Sequence, residues 1–92
     1  MYLWNPDKSR LNKQKHGISF EEARDSVFEE KNILATGVAY DKNEFRHAVI
    51  GKFNNKYYVG IFALTQEGKI RIISVRRARH EEEKQAKNRG LW

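Results

Sequence analysis

EFRHAVIGKFNNKYYVGIFAL, residues 44–64, decides the fold. Two apolar-rich runs with many β-branched and aromatic residues flank Asn54-Asn55. Such runs suit a pleated, half-buried surface, and asparagine tolerates the positive φ that a two-residue hairpin turn demands. The stretch therefore reads as two antiparallel strands, 44–53 and 56–64, and the turn between them places Arg46 opposite Ala63. A three-residue turn at Gln66–Gly68 leads into Lys69–Arg77, the most strand-like segment of the chain. Its length places Arg71 opposite the same Ala63. One cross-strand row, Arg46–Ala63–Arg71, is thus expected on one face of the sheet.

Strict alternation carries the same face through Ala48, Ile50, Val59, Ile61, Ile73 and Val75, all expected in the core. The opposite face carries Phe45, Val49, Phe53, Tyr58, Phe62, Ile70 and Ile72. A second apolar face on a small sheet is either covered by the C-terminal helix or offered to another chain. Upstream, Ile33–Tyr40 is apolar and partly β-branched, with Gly37 inside it, and reads as a fourth strand.

The first half of the chain is helical. Asn5 is a fitting N-cap, and Pro6 costs nothing at the first helical position. KHGISFEEA, residues 15–23, ends that helix near His16 and begins the next. Gly17 is the left-handed stop, Ser19 with Glu22 forms a capping box, and Ile18 can staple against Ala23. Phe20, Ala23, Val27 and Phe28 give the second helix its apolar face. Arg79–Asn88 closes the chain as a charged helix, with Gly90 as its stop. The expected architecture is a single α+β domain over 1–92. Two N-terminal helices pack on a mostly antiparallel four-stranded sheet, and a C-terminal helix follows.

The chain has 92 residues, no cysteine, and 18 Lys plus Arg against 12 Asp plus Glu, a formal charge of +6. That balance favours polyanionic partners, and the lack of cysteine leaves neither disulfides nor thiolate metal sites. No apolar run is long enough to span a bilayer, and MYLWNPDKSR lacks the basic-then-apolar order of a signal peptide. A cytoplasmic protein without membrane contact is the expectation.

The row has a polar end, with Glu44 two residues from Arg46 and Lys69 nearby. Arginines offer planar paired donors to phosphate oxygens, and a carboxylate beside them is either a base or a neutralising partner. The alternative is a solvated edge of ion pairs. RIISVRRAR, residues 71–79, adds Arg76, Arg77 and Arg79. Of the histidines, His47 alternates onto an apolar face and His80 sits among charges. His16 lies at a helix C-terminus, a position that suits cationic side chains. No histidine, aspartate or glutamate spacing suggests a metal site, and no cofactor is implied.

WNPDK at 4–8, Asn12, KHGISFEEA at 15–23, NEFR at 43–46 with Gly51, and RIISVRRA at 71–78 with Glu82 together resemble the BrnT family of type II toxins. The resemblance covers nearly the whole chain in order. It departs at Val75, where alanine is usual, and at Lys84-Gln85-Ala86, where the family carries a tyrosine in the last helix. The segment before Glu44 also lacks the usual Asp-Pro. The resemblance implies a RelE-like fold and an endoribonuclease that inhibits translation. It also implies a ribbon-helix-helix antitoxin that masks the toxin and, in a hetero-oligomer with it, binds operator DNA. Joined to the row, it suggests metal-independent chemistry at Arg46 and Arg71, with Glu44 or His16 moving the proton. Lys15, Lys69, Ser74, Arg76 and Arg77 would bind RNA. The competing class is a non-catalytic basic module that only completes the operator-binding complex.

Overall fold

Asn54 and Asn55 take φ of 52° and 62°, the geometry of a tight two-residue hairpin turn, and so fix the register of the sheet. The computed structural model of the chain describes residues 1–29, 33–34, 39–41 and 44–91. Strands β1 (Tyr2–Leu3), β2 (Ile33–Leu34), β3 (Ala39–Asp41), β4 (Glu44–Phe53), β5 (Lys56–Leu64) and β6 (Ile70–Arg77) accompany helices α1 (Pro6–His16), α2 (Phe20–Arg24) and α3 (His80–Asn88). The sheet order is β1-β6-β5-β4-β2, with β3 also paired to β4.

The antiparallel meander β4–β5–β6 is the expected one. The single strand expected across 33–40 is instead two short pieces, β2 against Val49–Ile50 and β3 against Glu44–Arg46. Residues 35–38, with Gly37, lie outside the described residues. Counted together, the pieces supply the fourth strand. The sheet is mixed because β1 joins β6 in parallel, Tyr2 beside Ile70 and Leu3 beside Arg71. Two residues carry too little periodicity to announce a strand.

Local signals set the helices. The Asn5 side chain accepts from the N–H of Asp7 at 2.8 Å, and Gly17 stops α1 with φ of 80°. Glu22 N–H donates to Ser19 Oγ at 3.1 Å while the Glu22 carboxylate accepts from Ser19 N–H at 2.9 Å, closing the capping box. α2 is shorter than expected and ends at Arg24. The Ser26 hydroxyl donates to Glu22 O at 2.6 Å, and Phe28 N–H reaches back to Ala23 O at 3.0 Å, so the chain turns. Val27 and Phe28 are nonetheless buried.

Ile18, Phe20, Ala23, Val27 and Phe28 pack on Val49, Tyr58, Phe62, Ile72 and Val75. Gly51 and Gly60 make room for this layer. A β-carbon on Gly51 would stand 2.6 Å from Val27 O, and one on Gly60 2.5 Å from the Phe28 ring. On the other face Ala86 and Leu91 pack on Ile50, Tyr57 and Val59, and the Tyr57 hydroxyl donates to Leu91 O at 2.8 Å. The helices therefore divide the two faces. The N-terminal segments cover one, and α3 covers part of the face that carries the row.

Val75 corrects the alternation expected for the third strand. It is buried with Ile72 on the α2 side, not with Ile50 and Val59. The cause is a bulge: Phe62 pairs with Ile72 but Ile61 pairs with Ser74, leaving Ile73 as an extra residue. Every residue after Ile73 changes face relative to simple alternation.

Candidate active site

The hairpin registers build the site. Ala63 pairs with Arg71, and continuing the β4–β5 register by one residue sets Arg46 opposite Ala63. Ala63 is buried and small, so the two guanidinium groups approach over it. Glu44, two residues before Arg46 on the same face, lies between them. Arg71 Nη2 donates to both carboxylate oxygens, 2.6 Å to Oε2, and Arg46 Nη2 stands 3.7 Å from Oε1. Of the three side chains Arg71 is the most open, at 41% exposed, and Arg46 the least, at 22%. Arg71 is thus the group an incoming anion meets first, and Arg46 is the held charge beneath it.

Glu44 takes the place that a phosphate would take between two such donors. A bound phosphodiester could draw Arg71 off Glu44 and leave a carboxylate beside a hydrogen-bonded phosphate, the arrangement that proton abstraction from a neighbouring hydroxyl requires. Lys69 shares the Arg71 side of β6, and its N–H donates to Thr65 Oγ1 at 3.0 Å in the adjoining turn.

The bulge brings in two more of the expected residues. Simple alternation puts Ser74 and Arg76 on the face opposite Arg71. The extra Ile73 returns both to it, in rungs Ala48–Ile61–Ser74 and Ile50–Val59–Arg76. Arg76 is already engaged. Its Nη1 and Nη2 each donate to Glu82 at 2.8 Å, which docks α3 on the sheet. The Arg76 guanidinium holds the Glu82 carboxyl down to about 2, and Glu82 holds Arg76 charged in return. Glu82 also accepts from Arg79 N–H at 2.7 Å, capping the first turn of α3.

The remaining candidates lie elsewhere. Arg77 is exposed on the far face, with its guanidinium 5.6 Å from the Tyr58 ring centre. Asn12 is bonded at Val75, three rungs along β6 from Arg71 once the bulge is counted, which is about 10 Å at strand rise. Lys15 and His16 lie in the last turn of α1, past Asn12, so the structure does not bring them to the row. His47 stacks on Phe62 with ring centres 5.3 Å apart, on the apolar face to which alternation assigns it. Among the described residues no group of three or more His, Cys, Asp or Glu side chains could hold a metal.

Two placements beside the row escaped the sequence reading. The bulge had one faint signal, the helix-side apolar spacing Ile70, Ile72, Val75. Leu3 beside Arg71 had none.

Residues 4–82 match the family described as ribonuclease toxin, BrnT, of type II toxin-antitoxin system. No curated protein matches the chain. The crystal structure of the Brucella abortus ribonuclease toxin BrnT is similar to it. The two are 25% identical with a TM-score of 0.54, and the match covers 87% of this chain and 99% of that one.

Proposed function

The chain belongs to the BrnT family of ribonuclease toxins of type II toxin–antitoxin systems, and from that premise we propose that it is a metal-independent endoribonuclease cutting RNA at Glu44, Arg46 and Arg71. The observation that carries this reading is the convergence of two arginines and one glutamate at the open end of a sheet face.

In the proposed reaction Glu44 takes the proton of a ribose 2′-hydroxyl. The 2′-oxygen attacks the adjacent phosphorus, and the bond from phosphorus to the 5′-oxygen breaks. That oxygen takes a proton from solvent, leaving a 2′,3′-cyclic phosphate and a 5′-hydroxyl. Arg46 and Arg71 stabilise the extra negative charge of the five-coordinate species, the largest contribution such a site makes. Glu44 is preferred to His16 as the base because it already touches Arg71. Lys69 and Ser74 flank the bound strand. Arg76 positions α3, and Lys15, His16 and Arg77 stand apart. The fold is read as RelE-like over a single domain, 1–92. The biological consequence is inhibited translation in the cytoplasm, relieved when a ribbon-helix-helix antitoxin covers the cluster and carries the complex to operator DNA.

Purified wild-type protein should degrade RNA in EDTA, and Arg71→Ala should slow this by at least about 100-fold, the scale of losing one transition-state donor. Thermal unfolding of the variant should stay close to wild type, because an ion pair of this exposure contributes little. Equal cleavage rates for the two proteins would remove the row from the chemistry. No cleavage by the wild type would favour the non-catalytic operator-binding module.

A further inference from the structure

We propose that the rung Ala48–Ile61–Ser74 is a nucleobase subsite that gives the nuclease its sequence preference. The inference rests on the ribonuclease reading and adds to it what lies beside the cut.

Three rungs cross this face of the sheet. The first is Arg46–Ala63–Arg71 and the third is Ile50–Val59–Arg76. In the third, Ile50 and Val59 are buried against α3, and Arg76 is paired to Glu82. The middle rung is different in kind. It carries no charge, and all three of its residues are half-buried. Ala48 and Ile61 border the α3 core without being closed by it. A phosphate gains nothing there, because an anion over apolar carbon loses its hydration without a partner. The flat face of a base gains by covering the same carbons.

Ser74 supplies the polar element. Among the described residues its hydroxyl makes no hydrogen bond, and a serine hydroxyl both donates and accepts, as the edge of a base requires. The bulge at Ile73 is what turns this hydroxyl onto the arginine side. The middle rung lies about 7 Å from the first, two residues along a strand. A base attached to a nucleotide held at Arg71 reaches it. Single-stranded RNA is read in this manner, with bases splayed from the backbone and bonded along their edges.

The test uses short RNAs blocked at one position by a 2′-deoxy nucleotide, in two sets of four that vary the base on either side of it. Binding to wild type, Ser74→Ala and Ala48→Leu is measured. Wild type should prefer one base in one set by about five-fold, the ratio expected of one hydrogen bond. Ser74→Ala should flatten that preference. Ala48→Leu, which fills the floor, should weaken every member of the favoured set while thermal unfolding shows the fold intact. Equal ratios in wild type and both variants would overturn the subsite. Binding is read without cleavage, so an inactive wild type that still shows the Ser74-dependent preference would sink the catalytic reading alone.

Discussion

Asn12 shows how one side chain can fasten two elements. Beyond the two residues that β1 pairs, the outer edge of β6 needs a partner. Asn12 Nδ2 donates to Val75 O at 2.9 Å, and Val75 N–H donates to Asn12 Oδ1 at 3.2 Å. The same Nδ2 donates to Ile18 O at 2.8 Å, holding the corner after Gly17. Asparagine is the shortest side chain with an acceptor and two donors. Asn12→Ala leaves three backbone groups without their partner in a buried setting, at a cost of about 2–4 kcal/mol. Urea unfolding measures it, and a change below about 0.5 kcal/mol would show that water replaces the amide. The sequence marks Asn12 only as one position in a resemblance. Its task is invisible there because Val75 is 63 residues away.

At the scale of elements, one ion pair joins apolar packing in docking α3 on the sheet. Folded Glu82 gives up its proton down to about pH 2, because Arg76 and then Arg79 N–H bond its charged form, whereas its ordinary value is 4.5. A carboxyl lowered on folding stabilises the fold fully above its unfolded value and loses that contribution as pH falls towards the folded one. Glu82→Gln should therefore be less stable than wild type by about 1–2 kcal/mol at pH 7, and the gap should close between pH 4.5 and 2. Paired urea titrations across that range test it, since the other carboxylates are common to both proteins. No gap at pH 7 would mean that packing of Ala86 and Leu91, not the pair, holds α3. Elements set by neighbours in the chain were legible beforehand: the Asn5 cap, the Gly17 stop, the Ser19–Glu22 box and the Asn54-Asn55 turn. The row was legible for the same reason, because turn lengths count residues. The bulge, β1 and the side on which α3 docks were not, since each is decided by a partner strand or face far along the chain.

For the whole molecule the excess of positive charge is only a beginning, because the fold decides which cations act together. Lys plus Arg exceed Asp plus Glu by 18 to 12, yet the structure sorts the cations into separate groups. Arg46 and Arg71 share Glu44, Arg76 is paired to Glu82, Lys13 to Glu22, and Arg77 rests on Tyr58 across the sheet. Composition treats these as equal, and counterion release does not. Each cation that truly contacts a phosphate of single-stranded RNA steepens the dependence of log K on log salt by about 0.7. Binding of a blocked RNA should lose about that much slope in Arg71→Ala and in Lys69→Ala. Lys15→Ala and Arg77→Ala should keep the wild-type slope, because their side chains lie past Asn12 and on the opposite face. If all four variants lose slope equally, RNA is held by a diffuse basic surface. If only Lys15→Ala and Arg77→Ala lose it, the RNA track runs along α1 and the row is a structural ion pair. The affinity at one salt concentration separates none of these cases, since any removed charge weakens it. The slope separates them because it counts contacts.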